Sequence, residues 1–265
     1  MAKTVRLVDL SLEIKQGLGG IPDDSPVVKA LGAQIRYTSH QESVPQMLRS
    51  FPGITPDDLP DGLGWTEEQV TLNTHTGTHM DSPWHYFPTS ECKKSKTIDE
   101  VPLEYCYSDG VVLDMTHKKP GEVITAADIQ EVLESINYSL KPLDIVLVRT
   151  DTDKLWDTLK YWTDHPGMGR EGTIWLADQG VKVVGTDAPG WDRPFGYQAA
   201  EFKETGDKSL IWEGHFAGRE REYFQMEKLA NLDQLPPYGF KVSCFPIKIY
   251  KAGAAWVRPV AIIEE

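Results

Sequence analysis

This sequence predicts a single α/β domain built on a mixed sheet, not a doubly wound parallel one. Strand-like and helix-like segments are interspersed without a strict strand–helix–strand period. Runs such as Gly-Val-Val-Leu-Asp-Met (110–115) and Asp-Ile-Val-Leu-Val-Arg (144–149) are apolar at consecutive positions, as in strands buried on both faces. No repeat, low-complexity tract or shift of composition divides residues 1–265.

In chain order, residues 5–10 alternate as a first strand, and the Gly/Pro-rich stretch from Gly17 to Pro26 reads as loop. Residues 33–38 form a second strand. Residues 43–64 carry Pro45, Pro52, Pro56 and Pro60 with little periodicity. Their apolar Met47, Leu48, Phe51 and Ile54 point to a lid or an intersubunit contact. Residues 68–73 are a strand that leads into the richest part of the chain. Thr125 caps a helix over 125–136, with Asp128 three residues on and Ile129, Val132, Leu133 and Ile136 on one face. Further helices are expected over 154–162 and 173–179, the latter stopped by Gly180, with a strand over 182–186. Two closing strands, 240–250 and 255–263, are interrupted by Pro246 and Pro259, which suit edges or bulges.

Composition narrows the function. The chain has 265 residues, 27 Lys plus Arg against 40 Asp plus Glu, and a formal charge of −13. That surface disfavours nucleic acid and anionic membrane as partners. Cys92, Cys106 and Cys244 are odd in number and form no C-x-x-C pair, so no disulfide framework is expected. No run has the length of a signal-peptide core or a membrane span, and the expected location is cytoplasmic.

The chemistry is concentrated in His75-Thr-Gly-Thr-His79-Met-Asp81-Ser-Pro83-Trp-His85. Imidazole nitrogens and a carboxylate oxygen suit zinc, manganese or iron. His75 and His79 have helical spacing, but Gly77 and Pro83 argue for an irregular loop, with Gly77 letting the backbone bend until the side chains converge. Any one of these histidines would pass as a loop residue capping backbone groups; four potential ligands this close point to metal. Remaining coordination must come from elsewhere. His215 and Glu227 are candidates because Phe216, Met226 and Leu229 lie beside them, although Glu220 and Glu222 look alike by sequence. His165, before Pro166-Gly167, is either a pocket or a surface-turn residue, while His117 and His40 read as solvated turns, His40 with an intersubunit role as the alternative.

The eleven-residue motif resembles the signature of the cyclase-like metal-dependent hydrolases, which include bacterial kynurenine formamidase and isatin hydrolase. Glu227-Lys-Leu-Ala-Asn231-Leu232 resembles that superfamily's Glu-Asn-Leu-x-Asn-Leu segment, with Lys228 in place of the first Asn. VLVRTD (146–151), HPG (165–167) and VVGTDAPGWD (183–192) are similar as well. The resemblance implies a swivelling β/β/α fold and assembly as a homodimer or homotetramer. It implies His75, His79 and Asp81 as metal ligands, His215 and Glu227 as the ligands completing a two-metal site, and His85 as general acid/base. Members lacking the glutamate hold one ion, often manganese, so Glu227 implies two divalent ions, zinc before manganese, bridged by Asp81 or Glu227.

The expected activity is hydrolysis of a C–N amide bond in a small aryl formamide or cyclic amide. Trp65, Trp84, Tyr86, Phe87 and Trp191 are candidates for an aromatic pocket. A cyclase, dehydratase or lactone hydrolase on the same site is the nearest alternative. A metal-stabilised binding protein is the more distant one, disfavoured because structural zinc sites are closed and rich in cysteine.

Overall fold

The structure is a computed structural model that describes residues 4–264. It contains two compact units, one formed by residues 14–18 and 22–73 and the other by the rest of the chain.

The larger unit holds a nine-stranded mixed sheet. Its strands are β1 (Val5–Asp9), β2 (His79–Asp81), β3 (Tyr107–Asp114), β4 (Ile145–Arg149), β5 (Val183–Thr186), β6 (Phe224–Glu227), β7 (Phe240–Ser243), β8 (Ala254–Trp256) and β9 (Val260–Glu264). They lie in the order β1-β9-β7-β3-β4-β5-β6-β2-β8. β3 to β6 run parallel, and every other pairing is antiparallel. The expected mixed sheet is therefore present, with a parallel centre and antiparallel flanks.

The apolar runs explain that centre. Ile145 and Leu147 pack into one core, and Val146 and Val148 into the other. Alternate residues of a strand point to opposite faces, so only a strand covered on both sides tolerates four consecutive apolar residues. Burying each such side chain contributes about 1.5–3 kcal/mol. On the second face lie α1 (Ala126–Ser135), through Ile129 and Leu133, and α2 (Arg170–Asp178), through Leu176. The expected capping box is formed: Thr125 Oγ1 accepts from Asp128 N, while an Asp128 carboxylate oxygen accepts from Thr125 N at 2.7 Å.

Some expectations change. Residues 154–162 do not form one helix; a 3-10 turn (Thr152–Leu155) and a helical turn (Lys160–Thr163) flank Asp157, whose φ of 70° breaks the run. The aromatic-rich stretch after residue 192 instead contains α3 (Phe195–Thr205). The two closing strands are three, β7, β8 and β9, with Pro246 beyond the end of β7 and Pro259 immediately before β9. β6 was not anticipated, because the surrounding charges hide its apolar Phe224 and Met226.

In the smaller unit, Gln34–Thr38 pairs antiparallel with Glu67–Thr71. The Pro-rich segment between them is not structureless. Val44–Ser50 is a helix with Pro45 in its first turn, where a missing N–H costs nothing. Two 3-10 turns follow at Pro56–Asp58 and Pro60–Gly62, and Pro26–Leu31 is a further short helix.

Asp187, directly after β5, ties the end of β4 in place. Its carboxylate accepts from Thr150 N at 2.9 and 3.0 Å, from Thr150 Oγ1 at 2.5 Å and from Asp151 N at 2.9 Å. Burial raises its pKa to about 7 in spite of these donors. The folded chain therefore holds a proton that the unfolded chain has already released, and the associated stability is lost as pH rises from about 4 to about 7. Urea unfolding of wild type and Asp187→Asn at pH 5 and pH 8 tests this. The advantage of wild type over the variant should shrink by roughly 2–3 kcal/mol between the two pH values. A constant difference would contradict it.

Candidate metal centre

The antiparallel register of β2 and β6 sets Asp81 opposite Gln225 and His79 opposite Glu227. By the two-residue period of a strand, these four side chains share one face, while Met80 and Met226 turn to the core on the other. His75 comes from the loop before β2, where Gly77 has a φ of 64° that suits glycine. Ser82-Pro83 then ends the strand and starts a single helical turn, Pro83–Tyr86, which carries His85 back over the same face. The expectation of an irregular loop thus holds for His75. His79 and Asp81 stand on a strand, and His85 on a helical turn.

His75 Nδ1 lies 3.0 Å and His79 Nε2 3.2 Å from Asp81 Oδ1, and the two nitrogens are 3.2 Å apart. Gly77 O lies 2.9 Å from His79 Nδ1, which fixes the proton there and leaves the Nε2 lone pair facing the aspartate. Glu227 Oε2 is 3.5 Å from His79 Nε2. A second group shares Asp81: His85 Nε2 and His215 Nε2 each lie 3.9 Å from Asp81 Oδ2, and His215 Nε2 is 3.4 Å from Glu227 Oε1. All six residues singled out in the sequence therefore meet in one place. Asp81 is buried with an oxygen in each group, and Glu227 likewise reaches His79 through Oε2 and His215 through Oε1.

Burial pushes the Asp81 pKa up, but His79 and His75 outweigh it and hold the group well below the usual carboxylate range. For Glu227, burial and Asp81 act upward, and His215 and Lys228 bring the pKa down to about 2. Burial lowers the His85 pKa to about 4, against the pull of Asp81, so its imidazole is neutral at neutral pH. His215 goes the other way: Asp192 and Glu227 overcome burial and raise it to about 10. A cation at its Nε2 would have to displace a proton.

Three residues that sequence reasoning missed complete the surroundings. Asp192 accepts from Gly214 N at 2.8 Å, His215 N at 3.0 Å and His215 Nδ1 at 2.5 Å, so one buried carboxylate fixes the ring plane and keeps a proton on Nδ1. The indole of Trp212 stacks on His215 with centroids 4.2 Å apart and stands edge-on to His85 at 5.3 Å. The Gln225 amide lies among Asp81, His215 and Glu227. Asp192 closes the VVGTDAPGWD stretch and Gln225 precedes Glu227 by two residues; neither position carries a spacing rule that singles it out. Lys228, at a φ of 59°, donates from Nζ to His75 O at 3.2 Å and lies 3.8 Å from Glu227 Oε2.

Of the expected pocket aromatics, Trp191 is a core residue whose backbone N donates to Glu227 Oε1 at 3.0 Å. Tyr86 is buried and stacked on Tyr223, Phe87 lies under the Arg219 guanidinium, and Trp84 is exposed. Trp65 belongs to the smaller unit. His165 is buried, with Nδ1 2.8 Å from Pro166 O, so it is not a surface-turn residue. His117 is an exposed turn residue as expected, and His40 is exposed with Nδ1 2.7 Å from Gly64 O.

The donor set fits a divalent cation. Asp81 Oδ1 is buried without a hydrogen-bond partner, beside imidazole nitrogens that can direct lone pairs at the same point. No helix among the described residues is long and apolar enough to cross a membrane.

Known proteins agree with this architecture. The sequence profile described as Putative cyclase matches residues 8–193, and the chain belongs to that family. It is 27% identical over 235 residues to a kynurenine formamidase of Erythrobacter litoralis, covering 84% of this chain and 92% of that protein. Among solved structures, isatin hydrolase A of Ralstonia solanacearum superposes with a TM-score of 0.75 at 22% identity, covering 98% of this chain and 92% of that one. Isatin hydrolase A of Labrenzia aggregata gives 0.72 at 23% identity, with 98% and 94% covered. These likenesses show that the mixed sheet is the cyclase-like fold.

If Asp192 orients His215 as a metal donor, Asp192→Asn should weaken divalent-ion binding about 10- to 100-fold while leaving the far-UV circular dichroism intact. Equilibrium dialysis with elemental analysis reads this directly, and unchanged affinity would remove Asp192 from the centre.

Proposed function

We propose that this protein is a metal-dependent hydrolase that cleaves a C–N amide bond in a small aryl formamide or cyclic amide. One observation carries the reading: His75 Nδ1, His79 Nε2 and Asp81 Oδ1 converge within 3.2 Å of one another, with the half-buried, neutral His85 on the other side of the same aspartate. Similarity to a kynurenine formamidase over most of both chains supports the amide class.

His75, His79 and Asp81 would hold a first ion, and His215 and Glu227 with Asp81 would hold a second. The donor types favour zinc, with manganese the alternative. A bound divalent cation supplies Lewis acidity and makes a water acidic enough to react near neutral pH. The protein moves the protons. His85, neutral because it is buried, takes one at Nε2 from the attacking water and delivers it to the leaving nitrogen. Trp212 covers His215 and His85 from one side and offers a flat apolar surface to an aromatic substrate. Asp192 and the Trp191 backbone hold His215 and Glu227 still throughout.

The match across residues 8–193 supports treating the chain as one family domain. We assign it a homodimeric or homotetrameric assembly, on the resemblance to the cyclase-like hydrolases.

Acid release from a panel of N-formyl anilines, cyclic amides and lactones tests the bond class; turnover of lactones alone would move the assignment to an esterase-type hydrolase. His85→Ala should lower kcat by about 10²- to 10⁴-fold with unchanged metal content. Loss of metal in that variant would instead make His85 a ligand. Asp81→Ala should empty the centre, and full activity with normal metal content would overturn the reading.

A further inference from the structure

Gln225 is fully buried, and its side chain lies within the donor set. Its Nε2 is 2.8 Å from Glu227 Oε1, 3.3 Å from Asp81 Oδ2 and 2.7 Å from His215 Nε2. Its Oε1 faces away and accepts from Tyr223 OH at 3.2 Å. The amide orientation follows from the neighbours. The nitrogen has two hydrogens to give and meets two carboxylate oxygens; turned round, the amide oxygen would face both carboxylates. The oxygens of Asp81 and Glu227 and the nitrogen of His215 are the donors proposed for the second ion. A divalent ion binds such atoms at about 2.0–2.2 Å. An amide nitrogen already within 2.7–3.3 Å of all three stands where that ion would have to be. In the other group, His75 Nδ1, His79 Nε2 and Asp81 Oδ1 lie 3.0–3.2 Å from one another.

We propose that Gln225 makes the two metal positions unequal: its amide guards the Asp81–His215–Glu227 position, so the His75–His79–Asp81 position fills first and the second ion binds only when the amide swings out. This rests on the two-ion reading above and adds to it an order of filling and the residue that sets it. Displacing the amide breaks two hydrogen bonds to carboxylates, so the second affinity should trail the first by at least about tenfold. Gln225 is a positioning residue in this account, not a catalytic one.

The test is a zinc titration of the full chain after chelation, by equilibrium dialysis with elemental analysis. Wild type should bind one equivalent tightly and the second at least about tenfold more weakly. Gln225→Leu removes the hydrogen bonds and should narrow the gap. Gln225→Glu keeps the shape but offers a carboxylate, and should bring the second affinity close to the first. The glutamate variant decides the matter if the leucine variant does not fold, as judged by its melting curve. Equal affinities in wild type, or a gap unchanged in the folded variants, would overturn the proposal. The reading of the chain as an amide hydrolase fails separately, through absence of turnover on the substrate panel in a protein that still fills in two unequal steps.

Discussion

Everything at the centre depends on the register between two short strands. With Asp81 opposite Gln225 and Glu227 opposite His79, four polar side chains crowd one face of the sheet and two methionines seal the other. A slip of β2 by one residue would turn Met80 into the site and drive His79 and Asp81 into the apolar core. Burying an unpaired carboxylate is so unfavourable that no alternative register competes. The same pairing gathers negative charge. Asp81, Glu227 and Asp192 are all buried, and apart from the histidines the nearby compensation is Lys228, whose own pKa burial lowers. Such an arrangement makes sense where a cation is to be held.

The ligand-like residues were legible in the sequence to unequal degrees, for physical reasons. His75, His79, Asp81 and His85 lie within one turn-and-strand stretch, so local spacing alone brings them near each other. His215 and Glu227 could not be told from Glu220 and Glu222 by composition. What separates them is that Glu227 ends a strand paired with β2, while Glu220 is exposed and pairs with Arg170. Gln225 is a neutral side chain in an apolar strand, and nothing short of that pairing shows it entering the site.

The fold was legible where burial is two-sided or a cap is formed, as in β3, β4 and α1, because those signals are local. It was obscured where a single backbone torsion decides. Asp157 at positive φ divides a segment whose composition favours helix, and Trp212 at a φ of 53° turns its indole onto His215. Side-chain periodicity carries no information about such torsions. The Pro-rich segment shows the converse: Pro45, Pro56 and Pro60 fall in the first turns of short helices, the position where proline is tolerated.

The position of β8 has a further consequence. This strand is the border of the sheet, and it is Gly253, just before it, that packs against His85 and accepts from both Ser82 N and Ser82 Oγ. His85, the proposed proton carrier, is therefore braced by an edge of the sheet. Border strands open locally at lower free energy than the sheet centre. On warming, the chain should lose the alignment of His85 before it loses its fold, so that inactivation precedes unfolding.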